Sequence, residues 1–343
     1  MKYPYKVLTR TDEITHDEWL DYRRTGLGGS DAGAVLGTSR YASPYSLWAE
    51  KTGLVESEFS GNEATEWGNE LEESVARRYA KVTGKRVVAW PVMLQSVDRP
   101  FQLANCDFFI VDYATFDEFP EGEVTVHNSY EAPNGITAIL EIKTTGLVGR
   151  ASREWENDGI PSGYFYQGAH YSAVTGVRNV VFAALVGGAG LQIREVTYQE
   201  DLITTLNEAE SKFWEMVENR EEPETIGHES DFETLKAAYP ESKGSTVVAD
   251  EFLLDTLAEF RRAKAIADEA ESLVKELRAK LERAIAENEA VVDSEGNTLY
   301  TFKSTKPGEA FDSKTFKATY PELYAEFVAP KAGYRVLRLG KES

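Results

Sequence analysis

Ile136-Thr137-Ala138-Ile139-Leu140-Glu141-Ile142-Lys143-Thr144-Thr145 is the stretch on which the fold of this 343-residue chain turns. The run Ile136–Lys143 is short, rich in β-formers and preceded by Asn134-Gly135, which predicts a buried strand. A strand's two-residue period sets Glu141 and Lys143 on one face and Leu140 and Ile142 on the other. An acid beside an amine at the end of a buried strand can hold a hard cation while the ammonium positions a water. Taken alone, the tripeptide is commonplace and a plain salt bridge explains most such pairs.

Its neighbours in sequence add further acids. Arg86–Leu94 and Phe101–Val111 read as strands, and the second carries Asp107 within Ala104-Asn105-Cys106-Asp107. Before them, residues 63–83 place Trp67, Leu71, Val75 and Tyr79 at successive four-residue steps, one apolar stripe along a helix. Glu72 falls at the edge of that stripe and Glu73 on the opposite side, so Glu72 can face the interior while Glu73 is solvated. A helix Glu, a strand Asp and a strand E-x-K, in that order, form a hard-metal phosphodiesterase arrangement.

Around this centre the pattern predicts more elements. Thr15 to Glu18 has capping-box spacing for a helix through Trp19 to Arg24. Gly26, Gly28 and Gly29 then turn the chain into Ser30, read as the N-cap of a helix over Asp31–Leu36, and Ser43-Pro44 begins another through Trp48. Beyond the central strand come a helix over Tyr164–Thr175, strands over Val177–Val186 and Gln192–Tyr198, and an acidic helix around Leu206–Glu218. Residues 113–135, with five acids and no Lys or Arg, read as a hairpin or long loop. The sum is an α/β fold, a mixed sheet flanked by helices, over residues 1–219.

Residues 220–343 change character and read as a C-terminal extension, opening with the linker-like Glu221 to Gly227. From Phe260, the positions Ala263, Ala267, Ala270, Val274, Leu277, Leu281 and Ala284 follow a heptad seam, although a helical hairpin or a helix lying on a core fits them too. Ala290–Phe302 reads as a β-hairpin, and residues 312–339 as a helix with a last strand over Tyr334–Leu339.

Composition excludes several classes. One cysteine, Cys106, rules out a disulfide framework and a thiolate metal cluster, which with no membrane-length apolar run suggests a cytoplasmic protein. The four histidines are scattered, and no phosphate-loop or dinucleotide fingerprint occurs. The net charge of −21 argues against binding nucleic acid through a broad basic surface but leaves a local site open. Residues 196–233 carry twelve carboxylates against Lys212 and Arg220, and are expected to face water.

The pieces together resemble the YqaJ-like viral recombinase family, the phage lambda-type exonucleases of the PD-(D/E)xK nuclease superfamily. The resemblance rests on R-R-T-G-L-G-G-S-D-A from Arg23 to Ala32, Ser43-Pro44, W-G-x-x-L-E from Trp67 to Glu72, Asn105-x-Asp107, E-I-K-T-T from Glu141 to Thr145, I-P-x-x-Y from Ile160 to Tyr164, and Gln167. It implies a restriction-endonuclease-like core, with Asp107 and Glu141 as metal ligands for Mg2+ or Mn2+. Glu72 would be a helix-borne ligand or water-positioning acid, and Lys143 would orient the nucleophilic water. Arg23 and Ser30 would lie near a 5′-terminal phosphate, and Tyr164 and Gln167 on the helix after the catalytic strand. A short helix opening at Ser30 after glycines fits an anion as well, since its amides are exposed. Read from the residues alone, Ser30 can equally be an ordinary N-cap, Arg23 an ion-pair partner of Asp21 or Glu18, and Tyr164 and Gln167 packing for Tyr171 and Val174.

The implied activity is hydrolysis of linear double-stranded DNA from its 5′ ends, leaving a 3′ single strand for recombination. A single-strand annealing protein is the implied partner, and a trimeric ring is the implied assembly. An endonuclease of the same chemistry, or a non-catalytic binding module, is the alternative. Two departures stand out: Phe108 follows Asp107 where the family usually has Gly, and residues 113–135 lengthen the path to Glu141, which would give Asp112 the ligand role if strand pairing shifted.

Overall fold

The computed structural model describes residues 3–56, 63–112, 122–146, 153–188, 190–329 and 333–340. The chain divides into two compact units, Met1–Pro240 and Glu241–Ser343.

In the first unit, β2 (Arg86–Ala89), β5 (Phe108–Val111), β6 (Val124–Val126), β7 (Ile136–Thr145), β8 (Asn179–Val186) and β9 (Gly190–Thr197) form a mixed sheet in the order β6-β2-β5-β7-β8-β9. Strand β7 runs antiparallel to β5 and parallel to β8, so it lies inside the sheet with both neighbours hydrogen-bonded. Helix α4 (Glu63–Thr83) covers one face, where Val75, Ala76 and Tyr79 pack with Leu140 and Ile142. Helix α5 (Ser162–Thr175) covers the other, where Ala169, Tyr171 and Val174 pack with Ile139 and Phe109. The two-residue period of β7 therefore sends Glu141 and Lys143 toward α5. This is the expected α/β class. The apolar stripe of α4 is buried only in its second half: Trp67 is 59% exposed whereas Tyr79 is 1% exposed.

A second sheet of three antiparallel strands joins β1 (Tyr5–Arg10), β3 (Val92–Ser96) and β4 (Leu103–Ala104). It divides two expected strands. Arg86–Leu94 breaks at Trp90-Pro91, where proline has no amide to donate and the Trp90 indole bonds to Ser129 O at 2.7 Å. Phe101–Val111 breaks at Asn105–Asp107, with Asn105 Nδ2 donating to Val92 O at 3.2 Å. One bent hairpin thus passes from the large sheet to the small one and back. Of the expected loop over 113–135, residues 113–121 lie outside the described residues, and β6 pairs parallel to β2.

Helices α1 (His16–Arg24) and α3 (Pro44–Lys51) have the caps their sequences specify: Thr15 with Glu18, and Ser43. Helix α2 (Gly29–Val35) begins one step earlier than the expected cap, so Ser30 sits inside it and the Asp31 carboxylate accepts the Gly28 amide at 2.9 Å. The unit continues past the expected boundary at residue 219. After α6 (Glu200–Asn219), helix α7 (Glu229–Ala238) is tied to α3: Ser43 N donates to Ser230 Oγ at 3.0 Å and Ser43 Oγ bonds to Asp231.

The scattered histidines conceal one pairing. His170 of α5 and Glu210 of α6 are both fully buried, with Nδ1 2.8 Å from Glu210 Oε1 and Nε2 2.9 Å from Leu103 O. Gln102 Nε2 donates to Glu210 Oε2 and to Asn207 Oδ1 at 2.7 Å each. Both ring nitrogens face acceptors, which is the environment of an imidazolium. Burial works against that charge, but Glu210 outweighs it and the pKa of His170 is raised.

In the second unit, α8 (Glu251–Ile285) is one helix of 35 residues in which only Ile285 is buried. Its surface carries pairs four residues apart, such as Glu271 with Lys275 and Glu276 with Lys280. The expected β-hairpin forms as β10 (Ala290–Val292) and β11 (Thr298–Thr301). The expected helix after residue 312 is two, α9 (Ser313–Thr319) and α10 (Pro321–Glu326), because Pro321 starts a new one. Tyr334–Leu339 is not a strand: β10 and β11 pair only with each other, and no other strand is present for it among the described residues of this unit. No helix among the described residues is long and apolar enough to cross a membrane.

Removing Glu210 leaves buried donors facing nothing, so Glu210→Ala should cost about 3 kcal/mol or more in urea unfolding near pH 6. The raised pKa of His170 means the pair contributes fully below histidine's unfolded value, about 6.5, and loses that contribution as pH rises through the folded value. The gap between wild type and Glu210→Ala should narrow from pH 6 to 9; a constant gap would show that His170 carries no charge.

Candidate active site

Glu141 owes its place to β7, whose central position buries it to 1% exposure. Its Oε1 accepts from Lys143 Nζ at 2.7 Å and from Gln167 Nε2 at 2.6 Å. Its Oε2 is buried and has no hydrogen-bond partner among the described residues.

Asp107 arrives through the second strand break. The register pairs Phe108 with Leu140, so the antiparallel ladder brings Asp107 opposite Glu141 just where β5 begins. Freed from the ladder, its Oδ2 accepts the Ile142 amide at 2.8 Å. Asp112, the alternative acid, lies past the far end of β5, where its amide donates to Gly135 O at 2.9 Å.

Glu72 comes from α4, on the opposite face of the sheet. One helical turn earlier, Gly68 lies against Thr144 at the end of β7, which brings Glu72 toward the same end. Burial and then the Asp107 charge push the Glu72 carboxyl up to about 8, with Lys143 opposing. Burial, followed by Asp107, likewise lifts Glu141 to about 8 against the pull of Lys143. Burial also raises Asp107, partly offset by Lys143 and the Ile142 amide. For Lys143, burial favours the neutral amine, yet Glu141 and Asp107 prevail and hold it as a cation.

Among the described residues no three His, Cys, Asp or Glu side chains are already gathered around one point. The reason is visible in the bonds: Lys143 and Gln167 occupy Glu141 Oε1, Ile142 occupies Asp107 Oδ2, and Glu72 approaches from the other face. What remains suits a hard divalent cation: an orphaned, buried carboxylate oxygen with two further acids interacting electrostatically beside it.

Tyr164 and Gln167 lie three residues apart on α5. The Lys143 ammonium sits 4.6 Å from the centre of the Tyr164 ring, a cation–π contact. Gln167 Nε2 bonds to the Tyr171 hydroxyl at 3.0 Å as well as to Glu141, so it joins the carboxylate to the core.

Arg23 pairs with neither Asp21 nor Glu18. Its Nη2 donates to Ser30 Oγ at 3.2 Å and to both Asp31 oxygens at 3.1 Å, while Arg24 takes Asp21 and the Glu18 carboxylate accepts the Thr15 amide. Asp31 also meets Lys51 Nζ at 3.1 Å, and the Lys51 side chain is 1% exposed. Burial opposes ionisation of Asp31, but Arg23 and Lys51 prevail and hold its carboxyl down at about 2. Asp31 and Lys51 carry no role in the sequence reading; the only signal for Asp31 was its place beside Ser30 in the glycine-rich motif. Gly29 ties this cluster to the first, because a Cβ there would stand 2.5 Å from the Tyr171 ring and 3.0 Å from Gln167 Cγ.

A profile of the YqaJ-like viral recombinase domain matches residues 18–178, which span Arg23, Ser30, Glu72, Asp107, Glu141, Lys143, Tyr164 and Gln167. The uncharacterized protein YqaJ of Bacillus subtilis (strain 168) is 30% identical over 323 residues, 93% of this chain and 92% of the relative. The chain belongs to the YqaJ-like viral recombinase family. Among solved structures, an alkaline exonuclease (LHK-Exo) from Laribacter hongkongensis is 18% identical with a TM-score of 0.46, over 65% of this chain and 98% of that one. A phage-related exonuclease from Haemophilus somnus 129PT is 12% identical with a TM-score of 0.40, over 57% of this chain and 96% of that one.

Carboxyls held near 8 bind protons in the folded chain that they release when it unfolds, so stability should fall as pH rises from about 4.5 to 8. In chelator-treated protein, Glu141→Gln should therefore raise the melting temperature at pH 8 by about 3 °C or more, with a smaller effect at pH 5. Mg2+ or Mn2+ should raise the wild-type melting temperature at pH 8 and leave that of Glu141→Gln unmoved. Equal shifts in both proteins would place cation binding elsewhere.

Proposed function

We propose that the protein is a Mg2+- or Mn2+-dependent deoxyribonuclease that degrades linear double-stranded DNA from 5′ ends, leaving 3′ single strands for recombination. The observation that carries this reading is the Glu141 Oε2, unsatisfied among the described residues, with the charges of Asp107, Glu72 and the Lys143 ammonium acting on the same carboxyl. Family membership supports it, and so does the all-oxygen donor set. Asp107, Glu141 and Glu72 would hold the cation. When bound, the cation supplies Lewis acidity toward the phosphodiester.

The chain's own groups have distinct tasks. Lys143, fixed by Glu141 and by the Tyr164 ring, orients the attacking water and offsets charge developing on the phosphate. Gln167 holds Glu141 so that its second oxygen stays available. Arg23 and Ser30 take the 5′-terminal phosphate, Arg23 through charge-assisted bonds. A local cation cluster of this kind reconciles DNA binding with a net charge of −21. We assign the chemistry to the first unit, with a single-strand annealing protein as the partner that receives the product, and a ring of subunits as the assembly that would keep the enzyme on its substrate.

In a Mg2+-containing assay, 5′-phosphorylated linear duplex should be digested much faster than covalently closed circles. Asp107→Ala, Glu141→Ala and Lys143→Ala should each lower the rate by about 10²-fold or more. Comparable nicking of circles would point to an endonuclease, and full activity in the variants would mean that these residues do no chemistry.

A further inference from the structure

Arg23 is held in a particular way. Its side chain is 17% exposed, and all three of its hydrogen bonds run through one nitrogen, Nη2, to Ser30 Oγ and the two Asp31 oxygens. Among the described residues Nε and Nη1 have no acceptor. Nη1 occupies the volume that a side chain at Gly28 would fill, since a Cβ there would stand 1.2 Å from it. Ser30 is exposed above this seat.

Asp31 closes the seat from beneath. Besides Arg23 it accepts the Gly28 amide at 2.9 Å, and its Oδ2 lies 3.1 Å from Lys51 Nζ, which in turn donates to Arg23 O at 3.0 Å. Two cations and one anion are thus locked to the same short piece of backbone. Two roles for the acid make opposite predictions. If Asp31 only offsets charge, removing it makes the site more positive and strengthens attraction for an anion. If it sets geometry, removing it frees the guanidinium stem, and a ligand must then restore the lost order at the expense of affinity.

We propose that Asp31 is a positioning residue that seats the Arg23 guanidinium over Gly28 beneath Ser30, keeping Nε and Nη1 ordered and free for the 5′-terminal phosphate of the DNA. The inference rests on the assignment of Arg23 and Ser30 to that phosphate. It adds that discrimination between phosphorylated and unphosphorylated ends depends on an acid that itself repels the ligand.

The test is fluorescence-anisotropy titration of the full chain, in EDTA so that no cleavage occurs, with a blunt duplex bearing a 5′-phosphate or a 5′-hydroxyl. The readout is the ratio of the two dissociation constants. Wild type should favour the phosphate about tenfold or more, with Arg23→Ala setting the floor near unity. Asp31→Asn should fall to about threefold or less despite its added positive charge. Because that variant strips a buried ammonium of its carboxylate, Gly28→Ala serves as a second probe: φ of −102° accepts alanine, every charge is retained, and only the guanidinium's seat is filled. It should lose the preference as well. A ratio kept or increased in Asp31→Asn, with Arg23→Ala at the floor, would make Asp31 a charge partner only. If Asp31→Asn does not fold by circular dichroism, a ratio retained in Gly28→Ala overturns the inference. Equal binding of both ends by wild type would instead remove the phosphate assignment, and this inference with it.

Discussion

A carboxylate inside a sheet has to be paired, protonated or bound to a cation, because isolated charge in a low-dielectric interior costs more than folding can supply. Glu141 meets this constraint on one oxygen only. Lys143 and Gln167 converge on Oε1, and among the described residues no donor reaches Oε2. The neighbouring acids sharpen the demand, since Asp107 is the principal charge lifting both Glu72 and Glu141. One ammonium cannot neutralise three carboxylates. Either the two glutamates retain protons in mildly alkaline solution, or a cation of higher charge completes the site.

The backbone is organised around delivering those acids to one end of β7. A continuous β4–β5 strand would keep the 105–107 amides in a ladder. The break instead lets β4 join the small sheet and β5 the large one, and it frees the Asp107 carboxylate to cap the Ile142 amide of the next strand. The matching break at Trp90-Pro91 lets β2 and β3 part in the same way. The second sheet is therefore the means by which an acid at a strand boundary comes to face an acid in mid-strand.

Much of this was legible because it is local. The period of β7, the caps at Thr15 and Ser43 and the facing of Glu72 against Glu73 depend on residues a few positions apart, and they appear as read. The breaks in the strands did not show, since Val92-Met93-Leu94 and Leu103-Ala104 are as β-prone as the residues they part from; what separates them is β1, an element the pattern did not reveal. The His170–Glu210 pair spans 40 positions and Asp31 and Lys51 sit on two different helices, so no spacing announces either. Ser30 read as a cap because serine commonly is one, but Asp31 already serves the Gly28 amide. Tyr334–Leu339 is apolar enough to read as a strand, yet a strand is a property of pairs, and among the described residues of its unit no partner is there.

The glycine-rich turn and the central carboxylate are joined by direct packing. Gly29 lies so close to Tyr171 and Gln167 that no side chain fits at that position, and Gln167 spends its amide on Tyr171 and Glu141 together. The path from Arg23 and Ser30 to Glu141 thus crosses a single packed seam with no loop in it. Close-packed interfaces of this kind shift between discrete arrangements and do not stretch. In the proposed reaction the terminal phosphate and the scissile bond would be held at a fixed separation, so the length of the released piece would follow from helix packing, with no added recognition of the DNA beyond its end.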